Sequence, residues 1–591
     1  MPVPPYAWQT DDFVTASRLQ NELRATGGNV FTPNGVAWHA QKPVYRSFSV
    51  SAAAAVANWR KMTTGSLSTW AGLSDTGIMV GAPADGGNEG TFTSANMQNS
   101  AGVAGSAGGL ALMTNCMPWQ TGAGVGGSGI ATFSGGIVSG VSGIGTYQST
   151  NLNGQVTWAL DLLDFDPQTT GYIYSPTTTP APASGWAADG SGAAMRQCGF
   201  WASVYQGNGT KIAGTSLPSV TTSYSAPGGG GAATSITSAG LNANIQNVMN
   251  LLNMPPALRV LATTQTTCAT GTATNIAYAG TPTTDTYGGF NTSTGLYTCP
   301  LPGLYLVATF AGFDSPANAN QVVQVGANIN GTKYYGPNQR SQVGLPIRGS
   351  KVQIFSLNAG DTIGTTVFQS VSSSIATSSG AAPLLVVLWL GYNTTPGTLP
   401  SKVDPTYQFK AGTSPSNLVS ALNGHLANDL IFLTQRPYTL AYQTVQTTGI
   451  TNNTFTTIPL DQNKGIVHGD SAASYGSWNS STSTYTAPRD GFYLCTVETF
   501  FSPPTGTNVL YYQGLGPNPG GLFNPDVWGQ NDSTASVVSC GGGASCCGIY
   551  YLQAGDSMHP SAVAAGLSAN TSTYVGSLSQ ASHFEAVWIS G

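Results

Sequence analysis

Charge is what this chain has least of. Lys, Arg, Asp and Glu make up 7% of its 591 residues, with a formal net charge of -5, whereas an ordinary globular protein carries about 25%. No cationic stripe is available to neutralise a row of phosphates, which excludes nucleic acid and anionic membrane surfaces as partners. Histidine is almost as scarce, at His39, His425, His468, His559 and His583. No His-Glu-x-x-His zinc helix, Gly-x-Ser-x-Gly elbow or Gly-Lys-(Ser/Thr) phosphate loop occurs, so three large enzyme classes drop out. Cys-x-x-Cys pairs are missing too, which argues against a zinc site. The first residues, Met1-Pro2-Val3-Pro4-Pro5-Tyr6, lack the basic and apolar stretches of a signal peptide. The longest strongly apolar run, Ala381 to Tyr392, has 12 residues where a membrane helix needs about 20. It reads as a buried strand, with no membrane insertion.

Low charge with 76 glycines could signal disorder, but 41% of residues are hydrophobic and 10% aromatic, enough to bury cores. The length suits roughly three or four domains. Neutral partners fit such a surface best: glycans, or further copies of the chain. The eight cysteines, 116, 198, 268, 299, 495, 540, 546 and 547, read as free buried thiols, with a Cys268–Cys299 disulfide or a bridge within 540 to 547 as the alternative.

Two segments in the C-terminal half share four features in the same order. Tyr297-Thr298-Cys299-Pro300 leads into Gly303-Leu304-Tyr305-Leu306, and Tyr485-Thr486-Ala487-Pro488 into Gly491-Phe492-Tyr493-Leu494. Leu357-Asn358-Ala359-Gly360-Asp361 is matched by Leu552-Gln553-Ala554-Gly555-Asp556, and Leu388-Trp389-Leu390-Gly391 by Val587-Trp588-Ile589-Ser590. Short alternating runs between Gly, Pro, Asn and Ser clusters predict antiparallel strands in a sandwich or barrel, with Ala-Gly-Asp as a tight turn.

A helical period precedes each copy. Leu241, Ile245, Val248 and Leu252 form an apolar stripe that ends at Pro255-Pro256; Leu418, Leu422, Leu426, Leu430 and Leu433 form another, from Ser414 to Arg436-Pro437. Asp11 to Ala25 is a third. Each stripe packs either on its own domain or against symmetry mates. The predicted organisation is a segment with a short helix (1–28), an N-terminal β-rich domain (29–227), a linker helix (237–254), a β domain (257–400), a second linker helix (414–434) and a final β domain (438–591). The shared anchors are not found in 29–227, so its topology is not legible.

The densest carboxylates, Asp161, Asp164 and Asp166, could be the paired acids of a glycosidase, calcium ligands, or an acidic strand edge. Asp85-Gly86-Gly87-Asn88-Glu89-Gly90 is a calcium-loop candidate or a solvated turn. No catalytic residue, metal ligand or cofactor is assigned. The aromatics and amides Tyr511, Tyr512, Phe523, Asn524 and Trp528 are the candidate contact surface, the alternative being that Phe523 and Trp528 are core.

The aromatic-x-x-Pro step, Gly-(Leu/Phe)-Tyr-Leu, Leu-x-Ala-Gly-Asp and closing strand resemble the C1q/TNF-like jelly roll, over 265–393 and 440–591. The segment Thr237-Ser238-Ala239-Gly240-Leu241-Asn242 through Leu251-Leu252 to Pro255-Pro256 looks like the linker helix of minor tail proteins from phages of actinobacteria, with a weaker version at Val14-Thr15-Ala16-Ser17-Arg18-Leu19. The resemblance implies a mainly β chain of tandem antiparallel jelly rolls, each behind a short helix. It implies a homotrimer in which Tyr305 and Tyr493 are core or trimer-axis residues. It further implies a phage-tail virion protein; the missing catalytic motifs add that it is non-enzymatic, and the missing signal peptide that it is made in the host cytoplasm. Other tail proteins would dock at the N-terminal region, and a host cell-wall glycan or surface receptor would be bound multivalently. A capsid head fibre or decoration protein is the first alternative, a tail-borne glycan depolymerase the second.

Overall fold

The computed structural model describes, before residue 245, the strands together with 211 and 214–218. From 245 onward it describes everything but 314–321, 341–346, 371–372, 379–381, 394–421, 424–429, 452–455, 469–474, 476, 503–508, 517–528, 534–542, 566–570, 574, 576–579 and 591. The helix expected over Asp11 to Ala25 lies outside the described residues.

The strands fall into three groups along the chain. The first holds β1 (Val44–Phe48), β2 (Gly109–Gln120), β3 (Gly127–Gly135), β4 (Val138–Ser149), β5 (Gln155–Phe165), β6 (Thr170–Ser175) and β7 (Gln197–Tyr205). Then come α1 (Asn247–Asn253) and the second group: β8 (Ala257–Leu261), β9 (Leu296–Thr298), β10 (Gly303–Phe313), β11 (Val322–Ile329), β12 (Thr332–Tyr335), β13 (Ile347–Leu357), β14 (Thr362–Gln369) and β15 (Leu384–Gly391). After α2 (Ile431–Thr434) the third holds β16 (Tyr438–Tyr442), β17 (Thr484–Thr486), β18 (Gly491–Phe500), β19 (Val509–Gly516), β20 (Gly529–Ser533), β21 (Gly543–Leu552), β22 (Ser557–Ala565) and β23 (His583–Ser590).

Each group builds the same pair of sheets. One sheet runs β1-β7-β2-β5 in the first module, β8-β15-β10-β13 in the second and β16-β23-β18-β21 in the third. The other contains β6-β3-β4, β9-β14-β11-β12 and β17-β22-β19-β20. First and last strands are neighbours in every case, and the long strand pairings are antiparallel. This is a jelly-roll sandwich three times over. The N-terminal region, whose topology the sequence hides, is therefore a third copy.

Register shows what concealed it. Gly303 faces Leu357 across β10 and β13, Gly491 faces Leu552 across β18 and β21, and Gly109 faces Phe165 across β2 and β5. The opening Gly-Leu-Tyr-Leu and Gly-Phe-Tyr-Leu thus correspond to Gly109-Leu110-Ala111-Leu112, which has lost its tyrosine. A register shift follows the same position in each: Leu304/Tyr305 against β15, Phe492/Tyr493 against β23, and Tyr205/Ser203 against β2. From Phe165 to Thr170 the chain takes as many residues as from Leu357 to Thr362 or Leu552 to Ser557, but reads Asp-Pro-Gln-Thr where the others read Asn-Ala-Gly-Asp or Gln-Ala-Gly-Asp.

In the two later modules the anchors have visible work. Gly360 and Gly555 take φ of +91° and +94°, a left-handed turn that glycine enters freely. Asp361 Oδ2 accepts from the Asn358 amide at 2.7 Å, and Asp556 Oδ2 from that of Gln553 at 2.7 Å. Tyr305 donates to the Leu301 carbonyl and Tyr493 to that of Arg489, both at 2.6 Å. Tyr305 lies inside the sandwich core of the second module, with Leu258, Phe313, Val325 and Trp389.

The described parts of the helices carry part of each stripe. Ile245, Val248 and Leu252 are buried in and just before α1; Leu422 and Leu433 are buried around α2. Both helices stop ahead of a proline, as expected. Leu241 and Leu426 lie outside the described residues. Phe432 of α2 packs edge-on against Trp588, with ring centroids 4.6 Å apart, and the Arg489 guanidinium sits 4.1 Å from its ring centroid. The helix is thereby fastened to its own module.

Among the described residues no helix is long and apolar enough to cross a membrane. Cys268, Cys299, Cys495 and Cys547 are free and buried, so the Cys268–Cys299 disulfide is not formed. Burial pushes the Cys268 thiol up to about 11 and raises that of Cys299 further, leaving both poor nucleophiles. For Cys116, Cys198 and Cys546 only the backbone is described, and Cys540 is outside.

Candidate functional site: a buried seam between modules

Strands β10, β13 and β15 belong to a sheet that is covered on both faces. On one face Tyr305, Val307, Leu385, Val387 and Trp389 fill the second module's own sandwich. On the other, Leu304, Leu306, Ala308, Val352, Ile354, Val386 and Leu388 join a separate cluster. Two-residue alternation makes this possible: an apolar residue at every position serves two cores at once. That is the physical meaning of the unbroken apolar run read near Ala381 to Tyr392.

The second cluster is shared by all three modules. Leu112, Leu160 and Leu162 come from the first, and Leu440, Phe492, Leu494, Cys547, Ile549 and Val587 from the third. The contributors are register equivalents. Leu112 faces Leu162, Leu306 faces Ile354, and Leu494 faces Ile549, and all six are in the cluster. Three sheets thus meet around a common axis in one chain. The ring closes: β4 runs beside β10 and β13, β13 beside β18 and β21, and β21 beside β2 and β5.

Two sets of charged groups cross the seams. Between modules 1 and 2, Arg259 on β8 makes a two-pronged contact with Asp161 on β5, Nε to Oδ1 at 2.8 Å and Nη2 to Oδ2 at 3.0 Å, with Nη1 on Thr283 Oγ1 at 3.1 Å. Between modules 2 and 3, Lys351 on β13 pairs with Glu498 on β18, and its Nζ lies 2.7 Å from His583 Nε2 on β23. Gln353 Nε2 donates to Glu585 Oε1 at 3.0 Å, and Thr496 Oγ1 donates to Glu585 Oε2. His583 holds Glu498 Oε2 at 2.8 Å through Nε2 and Glu585 through Nδ1 at 2.9 Å.

Burial alone would lower the pKa of His583; Glu585 raises it, Lys351 opposes, and the hydrogen bonds to Glu498 and Glu585 leave it above its ordinary value on balance. With His583 as imidazolium the two cations and two carboxylates of this cluster cancel. The four side chains are at most 2% exposed. A lysine, a histidine and two glutamates together could in principle transfer protons, but no substrate atom reaches groups so enclosed, and their chemistry is that of a joint. A third, outer contact crosses the same seam, where His468 Nε2 meets Asp361 Oδ2 of the Ala-Gly-Asp turn at 2.6 Å.

The other sequence-derived candidates fare differently. Asp161 is buried and gives both its oxygens to Arg259; only the backbone of Asp164 is described, and Asp166 and Asp85 to Gly90 lie outside. Tyr511 and Tyr512 lie on β19, in the sheet away from the axis, with only their backbone described. Phe523, Asn524 and Trp528 lie outside the described residues. Sequence reasoning overlooked Arg259, Lys351, Glu498 and Glu585, and gave His583 no role. A signal existed: in a chain with so little charge, Glu498 and Glu585 interrupt strands that are otherwise core.

No protein-family model matches the chain, and no curated protein matches it. Among solved structures, the globular domain of zebrafish complement 1qA protein is 14% identical and covers 23% of this chain and 99% of its own, with a TM-score of 0.18. Murine APRIL at pH 8.5 is 14% identical, covering 22% and 98%, with a TM-score of 0.18. Eiger TNF from S. frugiperda is 10% identical, covering 26% and 94%, with a TM-score of 0.19. The class defined here by strand order is a chain of three jelly-roll modules around a shared core.

Proposed function

We propose that the chain is a non-enzymatic structural virion protein that presents three related jelly rolls, through one chain, for multivalent contact with a host cell-wall glycan or surface receptor. The observation that carries this reading is the shared axial core. It fixes three non-identical modules rigidly, so that their outer sheets and loops point away from the axis. Weak sites held this way gain effective concentration without new contacts. The charge-poor surface suits neutral glycans, and the linker-helix resemblance supports a location in a phage tail, with the region ahead of the first module docking to other tail proteins.

The homotrimer expected from the sequence takes a different form in this reading. The faces that three chains would bring together already lie against other modules of the same chain, so any association of chains uses the outer sheets or the segments between modules. Labelled full-length protein is expected to bind intact host cells and to compete with phage adsorption; protein that does neither contradicts the attachment role. An antibody that decorates capsids rather than tails would favour a head decoration protein, and release of reducing ends from host polysaccharide would overturn the non-enzymatic reading.

A further inference from the structure

Counting from the opening glycine of β2, β10 and β18 aligns the modules residue by residue, and the charged positions do not repeat. Lys351, opposite Thr309, corresponds to Cys546, opposite Val497, and to Ala159, opposite Asn115. Glu498 corresponds to Phe310, and His583, its neighbour on β23, to Leu384. Glu585 corresponds to Val386 and Phe200. Asp161 corresponds to Gln353 and Gly548, and its partner Arg259 to Leu440.

The consequence appears when a module is placed against its own copy. In a ring of second modules, Lys351 would be buried against Phe310 and Leu384 with no carboxylate. In a ring of third modules, Glu498 and Glu585 would be buried against Cys546 and Gly548 with no lysine. A buried charge stripped of its partner is strongly destabilising. The same apolar face that could serve any jelly-roll trimer is thus made selective by what is set into it.

We infer that the axial faces are addressed: the inward sheet of the second module fits the third module and not another copy of itself, with Lys351, Glu498, His583 and Glu585 as the address. This rests on the reading that one chain completes the ring. A protease site placed in the full chain between residues 395 and 412 provides the test. After cleavage, the wild-type pieces are expected to stay together one to one, measured by light scattering and by dissociation on dilution. Lys351→Met and Glu498→Gln each leave the cluster with an unbalanced charge and are expected to weaken retention on the order of 100-fold. The double variant restores neutrality and is expected to lose far less than the product of the two.

Single-variant effects that simply multiply, or no effect of either, would overturn the address. So would a released C-terminal piece that forms trimers of itself. The two failures separate cleanly. A native uncleaved species of three chains that comes apart only as the axial core unfolds contradicts the single-chain ring, whereas a single-chain mass with unaffected retention in Lys351→Met contradicts only the address.

Discussion

The seam between modules 1 and 2 and the seam between modules 2 and 3 solve one problem by different means. Both must bury charge at the edge of an apolar core. The first uses a single guanidinium–carboxylate pair, Arg259 with Asp161, whose geometry satisfies both carboxylate oxygens. The second distributes charge over Lys351, Glu498, His583 and Glu585, and includes an imidazole whose pKa its carboxylate neighbours hold above the ordinary value. An all-or-none joint therefore sits beside one that responds to protons.

The largest effect is expected from breaking the simple pair. Asp161→Asn leaves Arg259 buried without its anion and is expected to cost about 3–5 kcal/mol, seen as a fall in the urea midpoint. The combined Asp161→Leu and Arg259→Met change removes both charges and is expected to be close to neutral by the same measurement. A double variant as damaged as the single would show that the pair does more than balance charge. Truncating the apolar part of the axis, Leu306→Ala, is expected to cost about 2–5 kcal/mol, and should loosen both seams rather than one.

The proton response sharpens the comparison. His583 has a folded pKa above its ordinary value, so the stability it contributes is complete below about pH 6.5 and is lost as pH rises through the folded pKa. The melting temperature of the wild type is expected to fall over that rise, while His583→Gln flattens the dependence. Among the described residues the contacts of Arg259 and Asp161 include no histidine, and the integrity of their seam, read from hydrogen exchange of β5 and β8, is expected to stay level across the same window.

The smallest effect belongs to the outer tether. Hydrogen bonds from Asn358, His468 and Asn330 outweigh partial burial and hold the Asp361 carboxyl below its ordinary value. Its contribution is therefore present above about pH 4 and lost as pH falls. Because the pair is partly exposed, Asp361→Asn is expected to cost less than about 1 kcal/mol through the loss of His468. A larger loss would point to the Ala-Gly-Asp turn itself, which Asp361 also caps.

What the sequence made legible follows from where strain and hydrogen bonds forced particular residues. Gly303, whose Cβ would lie 2.2 Å from the Trp389 indole nitrogen, and Gly360 in its left-handed turn leave signatures at fixed spacing, and these reveal two jelly rolls. The first module has Ala111 in place of the tyrosine, and its sequence between Phe165 and Thr170 carries Pro167 and no Ala-Gly-Asp, so its identity emerges only from strand order. The seams were hidden for another reason. Asp161 lies far along the chain from Arg259, and Lys351 far from Glu498, so local pattern could place each residue on a strand without saying that its partner belongs to another module. The apolar run Leu384 to Leu388 announced burial correctly but not that it faces two different cores.

One chain supplies all three modules of the ring. The mass of the full-length protein in dilute solution, measured by multi-angle light scattering, tests this most directly. A value near 60.5 kDa, unchanged on further dilution, is predicted. A stable species of three times that mass, dissociating only with loss of the axial core, would contradict it.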